Sequence, residues 1–598
     1  MRSGWALLGL AVATNVCADV LVNLQVSEPP PLPVGVKECT VEVLKRDFAN
    51  SYGNAEVVQL DPPIDCGEPG SWAAVSLNLT VTSNGTQYDR LGVFTFQNVE
   101  IWRTSTPEPT RGDGIIWTYI KDVTQYTPLF AHSGSFILQL DNIIQGNLNG
   151  VYSATVTATY YAATERYPTA AQASTIIPIS TGANDTGNDA SVPPGFSADV
   201  TIPINTVKLF VEILASGNGQ EEFWYGNVPN IYLHDLPDGL TYGQGPFREV
   251  RLLIDGRVAG VAFPFPTIFT GGFSPPAWRP VPALNALDLP RYAIDATPFI
   301  PLLTDGAPHN FTLDVASAEA DHGVLDNWYV SGALLAVTGP AAGRTTGTMT
   351  HYEVGDYADA GGDGEVDGRY AMGGRTREGA LEIEVTARRR VRVESVLIGG
   401  DGEETAVVWA QDLAYLSKQV FSADYLVQTI NQSTTGSVKS THDGVTVVSD
   451  EFSYPLAINY TYGSANYDNW TFIIDHSYNR AGVLHPFVLD ATIESRQTSN
   501  SFFQTASTGN YGNATTNTTF DYHDVAGNTY NRRVHAANNK ITLDEEGGSL
   551  AGGVAKKGHE EYRMLLQASA IVNDGLTFAD ARRPGMQQQA GLIQLQQD

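Results

Sequence analysis

The stretch AVSLNLTVTS, Ala74 to Ser83, decides the fold. Val75, Leu77, Leu79 and Val81 fall on one face of a period-two repeat, and Ser76, Asn78 and Thr80 fall on the other. Strict alternation of this kind specifies a half-buried β-strand. Similar β-branched or aromatic runs recur at Leu91 to Ile101, Gly150 to Tyr161, Val207 to Ala215, Val250 to Ile254 and Trp328 to Val337. Gly, Pro, Asn and Asp clusters separate them, so the chain reads as all-β and built of sandwiches. Before the tail no long amphipathic helix is visible; one helical stretch is expected around Glu560 to Val572.

Punctuation sets the domain boundaries. Residues 1–18 read as a signal peptide, 19–163 as a first β-sandwich and 164–194 as a small-residue linker containing TGANDTGNDA. A second sandwich is expected over 195–340 and a further β-rich domain over 341–544, where Gly, Arg, Thr and Asn increase. Residues 545–598 read as a partly disordered tail.

The signal-peptide reading rests on one Arg before the apolar run Trp5 to Val16, with small residues Val16 and Ala18 ahead of the cut. That run is too short to span a bilayer, no later run is long enough, and the polar C-terminal end argues against a lipid anchor. Secretion into an extracellular or acidic vacuolar fluid follows as the expectation. Cys17 would leave with the signal, so Cys39 and Cys66 are expected to form a disulfide. N-x-S/T sequons at Asn78, Asn84, Asn184, Asn310, Asn431, Asn459, Asn469, Asn513 and Asn517 suggest a glycoprotein. Lys plus Arg number 35 against 65 Asp plus Glu in 598 residues, a net charge of -30. Such a charge disfavours nucleic acid and anionic membranes as partners.

Three islands carry the chemistry: QYDR (Gln87–Arg90) with WRTSTPEPT (Trp102–Thr110); EEFWY (Glu221–Tyr225); and FREV (Phe247–Val250) followed by PFPTIFTGGFSPPAWRP (Pro264–Pro280). Asp89 between Tyr88 and Arg90 is a carboxylate at a strand start, and Arg90 or Arg279 can orient it or stabilise negative charge. Read from spacing alone, an Asp–Arg ion pair at a strand end is the commoner outcome. Trp224, Tyr225 and Trp278 suit either sugar stacking or core packing, whereas Trp102 reads as packing and Glu108 in its Pro-bounded loop can touch substrate or cap a turn, the turn being the favoured reading. The 11 His residues are scattered, and the acidic Gly-rich stretch Asp359 to Asp367 lacks calcium-loop spacing and reads as a solvated turn. No metal or organic cofactor is expected. Nor is there a G-x-S-x-G elbow, a P-loop or a dinucleotide fingerprint.

These islands, with RDFANSYG (Arg46–Gly53), DPPIDC (Asp61–Cys66), KDVTQY (Lys121–Tyr126) and LPRYAIDATPFIPLLTDGAPHNF (Leu289–Phe311), resemble the peptide N-glycosidase A family. The bacterial peptide N-glycosidases of the F type, related in chemistry, are built of two jelly rolls. They carry a catalytic Asp in a W-D-R-Y stretch and a functional Glu in C-A-E-W. The resemblance therefore implies two tandem jelly-roll-like sandwiches, with Asp89 and Glu222 as catalytic carboxylates. It further implies Arg279 and Asp141 as catalytic partners, and Trp224, Tyr225, Trp278 and Arg90 as substrate-binding residues. EEFWY departs from the DEFWY associated with the family and keeps Glu222 in place.

The resulting expectation is a secreted amidase that hydrolyses the amide between Asn and the innermost N-acetylglucosamine of N-glycopeptides or glycoproteins. A glycan-binding sandwich without turnover, and a glycosidase using paired carboxylates, are the alternatives. Oligomeric state is not legible in the sequence.

Overall fold

The computed structural model describes residues 20–110, 114–367, 380–464, 466–506 and 510–552. The expected signal peptide and the helical stretch around Glu560 to Val572 lie outside the described residues. The founding alternation is realised in β4: Val75, Leu77, Leu79 and Val81 are at most 2% exposed, while Thr82 on the opposite face reaches solvent.

The first module contains β1 (Leu21–Asn23), β2 (Glu38–Phe48), β3 (Glu56–Leu60), β4 (Ala74–Asn84), β5 (Leu91–Phe96), β6 (Val99–Ser105), β7 (Ile115–Asp122), β8 (Gly134–Leu140) and β9 (Val151–Tyr161). Its two sheets run β1-β7-β4-β9-β2 and β3-β8-β5-β6. The run read as one strand from Leu91 to Ile101 is a hairpin instead. Gln97 and Asn98 both adopt positive φ, the geometry of a tight turn matched to strand twist.

The second module contains β10 (Thr175–Ile179), β11 (Ala190–Val192), β12 (Phe196–Val200), β13 (Thr206–Asn218), β14 (Arg248–Ile254), β15 (Arg257–Ala262), β16 (Arg291–Asp295), β17 (His309–Ser317) and β18 (Asn327–Thr338). Its sheets run β10-β18-β13-β16, with β11 also on β18, and β12-β17-β14-β15. Strand for strand, β2-β9-β4-β7 corresponds to β10-β18-β13-β16, and β3-β8-β5-β6 to β12-β17-β14-β15. Both modules are thus jelly rolls with one connectivity. The segment expected as a linker supplies β10 and β11, because Ile176, Ile179 and Val192 are buried against β18.

The remaining strands form one long antiparallel sheet: β19 (Thr346–Val354), β20 (Asp359–Asp367), β21 (Ala380–Ile398), β22 (Glu404–Ser422), β23 (Val427–His442), β24 (Val445–Tyr462), β25 (Asn469–Val483), β26 (Ala491–Gln504), β27 (Tyr511–Asp524), β28 (Thr529–Ala537) and β29 (Lys540–Gly547). β20 corrects the expectation of a turn at Asp359 to Asp367: the stretch pairs with β21 throughout, an edge blunted by acidic residues and glycines.

Burial alternates along the sheet, and its inner face covers the second roll. Trp409 Nε1 donates to Ala259 O at 3.1 Å, and Gln411 exchanges two bonds with the Val261 backbone at 2.8 and 2.9 Å. Glu212 of β13 joins all three modules, accepting from Tyr126 Oη at 2.6 Å and lying 3.0 Å from His485 Nε2. Cys39 and Cys66 form the expected disulfide, across 27 residues. Closing a loop of that order stabilises by about 3 kcal/mol, chiefly through the unfolded chain.

Candidate active site

Corresponding loops of the two rolls supply the site. Asp89 lies in the β4–β5 loop and Glu222 in the equivalent β13–β14 loop. Glu108 lies in the β6–β7 loop, and Gly271 to Arg279 in the equivalent β15–β16 loop.

Asp89 is positioned by its neighbours. Gln87 donates to Ile143 O at 3.0 Å and accepts from Arg90 Nη2 at 2.7 Å, while Tyr152 Oη holds Tyr88 O at 2.7 Å. Arg90 and Thr106 bond through their backbones, and Thr270 Oγ1 donates to Thr106 O at 2.6 Å, which ties the second roll's loop to the first. The Gly271 N–H then donates to Asp89. A Cβ on Gly271 would sit 2.3 Å from Asp89 Oδ1 and 2.8 Å from Glu108 Oε1, so both carboxylates abut this glycine.

The adjacent acids of EEFWY divide their work. Glu221 is fully buried and accepts from Arg248 Nε at 2.6 Å, Arg248 Nη2 at 2.7 Å, Trp328 Nε1 at 2.7 Å and the Leu325 N–H at 2.9 Å. With its oxygens saturated, it anchors a short 3-10 turn at Gly219–Glu221. Glu222, the next residue, is half-buried in the field of Asp89 and Glu108. Glu221→Ala is expected to destabilise the fold by about 3–5 kcal/mol by stranding the buried Arg248 charge. Glu222→Gln should cost little stability. Denaturant unfolding of the two variants checks the division.

Electrostatics separate the three carboxyls. Burial raises Asp89, but the Gly271 N–H, its own backbone N–H and the Arg90 guanidinium all favour its anion. Burial pushes Glu222 far above the usual range, and the charges of Asp89 and Glu108 push it further. Burial raises Glu108 to about 8, against the pull of Arg279 at 3.2 Å. All three carboxyls are thus raised by burial, and Asp89 is the one with backbone N–H donors favouring its anion.

Several sequence expectations change here. Glu108 does not cap its own turn; it reaches Arg279 across the inter-roll contact. Pro107 and Pro109 made it read as a turn, yet they also keep its loop out of strand geometry. Trp224, Tyr225 and Trp278 are 4%, 0% and 1% exposed, so they present no ring face to a sugar. They are core: Trp224 packs on Trp328, and Trp278 Nε1 donates to Gly272 O at 2.7 Å. Phe223, between Glu222 and Trp224, is half-buried and edge-on to Phe273 at 5.0 Å. Trp102 packs as expected, stacked on Phe94 at 4.5 Å. Asp141 interacts electrostatically with Arg90 and accepts from the Gly53 N–H at 3.0 Å and Gln139 Nε2 at 2.9 Å. Arg90 itself is 8% exposed and braced by Gln87. Among the described residues no cluster of His, Cys, Asp or Glu is arranged to hold a metal ion.

The model for the family described as peptide N-acetyl-β-D-glucosaminyl asparaginase amidase A matches residues 29–355 and so contains every carboxylate of this site. The chain belongs to that family. The model of the amidase A family's C-terminal domain matches residues 382–456, within β21–β24. Over 353 residues the chain is 33% identical to peptide-N4-(N-acetyl-β-glucosaminyl)asparagine amidase A of Prunus dulcis, covering 55% of this chain and 59% of that protein. The chain thus spans about three fifths of that amidase A relative's length. Among solved structures, PNGase F, a glycosylasparaginase from Flavobacterium meningosepticum, aligns with a TM-score of 0.32 at 13% identity, over 50% of this chain and 96% of that one. PNGF-II aligns with a TM-score of 0.34 at 12% identity, over 51% and 66%.

Proposed function

We propose that this member of the amidase A family hydrolyses the amide joining Asn to the innermost N-acetylglucosamine of an N-glycopeptide. The carrying observation is the cluster of Asp89, Glu108 and Glu222 at the contact of the two rolls, with Arg279 beside it. Asp89, whose hydrogen bonds favour the anion, accepts a proton from the attacking water. The water oxygen bonds to the amide carbon, and the carbonyl oxygen gains the electron pair. Glu222, held protonated, donates toward the amide, and the C–N bond breaks as the leaving nitrogen is protonated. The products are Asp in the peptide and a glycosylamine, which a second water then hydrolyses to the free sugar and ammonia.

Glu108 regulates what Arg279 can do. With its proton on, Glu108 leaves the Arg279 charge available to the developing oxyanion. Once ionised, it competes for that charge. Activity is therefore expected to hold in acid and to fall as pH rises through about 8, with a separate loss at low pH as Asp89 gains its proton. A carboxyl raised on folding stabilises the protein fully below its unfolded value, and that contribution is lost as pH rises through the folded value. The window for Glu108 runs from 4.5 to about 8. Two groups act the other way: Glu212, lowered to about 2, and His476, lowered to about 3, withdraw stability as pH falls. Comparing the melting temperatures of wild type and Glu108→Gln at each pH isolates the Glu108 contribution. The wild type should lose ground to the variant across that window.

Secretion, and glycans on the sequon asparagines, belong to the same proposal. Asn431, Asn513 and Asn517 lie exposed on the outer face of the long sheet, open to a glycan. Digestion of a defined N-glycopeptide at mildly acidic pH, read by mass spectrometry, tests the activity. Asp in the peptide supports amide hydrolysis, Asn retaining one sugar indicates a glycosidase, and unchanged glycopeptide indicates a binder.

A further inference from the structure

The β15–β16 loop turns through a strained residue beside the site. Phe273 has φ of 54°, a left-handed backbone unfavourable for a large side chain. It follows Gly271 and Gly272 and precedes Arg279, at the centre of the segment that meets Asp89 and Glu108.

Phe223 of the β13–β14 loop packs edge-on to the Phe273 ring, and the long C-terminal sheet holds both the ring and the backbone. The Phe273 ring stacks on Phe472 of β25 at 4.9 Å and 11°, and Trp470 Nε1 donates to Phe273 O at 2.9 Å. Further along the same loop, Thr516 Oγ1 of β27 donates to Ala277 O at 2.8 Å, two residues before Arg279. The neighbouring loop of the second roll is seated on the same face. Gln419 Nε2 of β22 donates to Asn227 O at 2.7 Å, and Gln428 Nε2 of β23 donates to Gly226 O at 3.4 Å. Both second-roll loops of the site therefore rest on this sheet.

We infer that the C-terminal sheet is a positioning element of the active site, with Trp470 and Phe472 holding Phe273 in the turn that aims the Gly271 N–H at Asp89 and sets Arg279 against Glu108. This rests on the amidase reading for its kinetic consequence, though not for its structural one. Trp470 and Phe472 touch no reacting atom. Their effect passes through the backbone of residues 271–279, and displacement of reacting groups by about 1 Å can cost on the order of 100-fold in rate.

The test compares Trp470→Phe with Trp409→Phe in the full chain. Each substitution removes an indole donor from the sheet's inner face. Trp470 bonds the site loop, whereas Trp409 bonds Ala259 in β15. With a defined N-glycopeptide, Trp470→Phe is expected to lower kcat per folded molecule by about 10- to 100-fold, with KM within about twofold because neither Trp470 nor its replacement is one of the site's own side chains. Trp409→Phe is expected to lower the melting temperature and leave kcat unchanged. Amide hydrogen exchange over residues 268–279, measured on the same proteins, should accelerate in Trp470→Phe alone. Equal kcat for the two variants together with unchanged exchange in that segment overturns the proposal. If the wild type does not cleave the glycopeptide, the amidase reading fails and the exchange comparison alone decides the positioning role: selective acceleration supports it and its absence overturns it.

Discussion

Asp89→Asn is expected to lower turnover of a defined N-glycopeptide by about 100- to 10,000-fold, the usual cost of removing a general base. The melting temperature should hold or rise. Asn keeps the shape and can still accept the Gly271 N–H, but it cannot take a proton from water. The stability half follows from burial. The Asp89 pKa is raised on folding, so its charge opposes folding above the unfolded value, and a neutral amide removes that opposition. An Asp serving only as the structural partner of Arg90 would behave otherwise. In the structure, however, Arg90 Nη2 bonds Gln87 at 2.7 Å, and the Arg90 backbone is held by Thr106. Turnover, glycopeptide binding and melting, measured side by side, separate the two cases. Near-wild-type turnover would remove Asp89 from the chemistry, and unfolding would return it to a structural ion pair.

Much of the architecture was legible because period-two alternation is a local signal. The stretch from Ala74 to Ser83 needed no partner to be read, since burying one face of a strand requires apolar residues at every second position. The hairpin at Gln97 and Asn98 was not legible in the same way, because the apolar run continues through Val99 and Ile101 and neither turn residue is glycine. β10 and β11 were hidden among small polar residues, and β18 supplies the pairing that makes them strands.

The site followed the same division. Asp89 and Glu222 could be found by resemblance in short islands, and the structure brings them together. Glu108 could not, because its role depends on Arg279, 171 residues away. For the aromatics, composition cannot distinguish a sugar platform from a core ring, and burial alone placed Trp224, Tyr225 and Trp278 inside. Glu221 shows the limit most directly. Two identical side chains stand next to each other, and only Arg248, Trp328 and Leu325 tell which one is the anchor.

Gly271→Ala is expected to abolish most turnover while leaving a folded protein. The backbone at this position does not require glycine, since its φ lies outside the left-handed region; space does. The added methyl would stand 2.3 Å from Asp89 Oδ1 and 2.8 Å from Glu108 Oε1, below any real carbon contact. Asp89 sits in a loop braced by Gln87, Tyr152 and Thr106, and Glu108 is drawn toward Arg279. Something must move, and the softest elements are the two carboxylates. Overpacking of this kind costs about 1–3 kcal/mol of stability, whereas a base displaced by about 1 Å can lose on the order of 100-fold in rate. Rate should therefore suffer far more than folding. Gly361→Ala is the matched control, with ordinary φ and nothing within 4 Å of the added carbon. Turnover by Gly271→Ala within about threefold of this control would mean that the carboxylates do not work in the arrangement they hold around that glycine. Loss of turnover with glycopeptide binding and melting preserved would place Gly271 among the groups that set the geometry of the reaction.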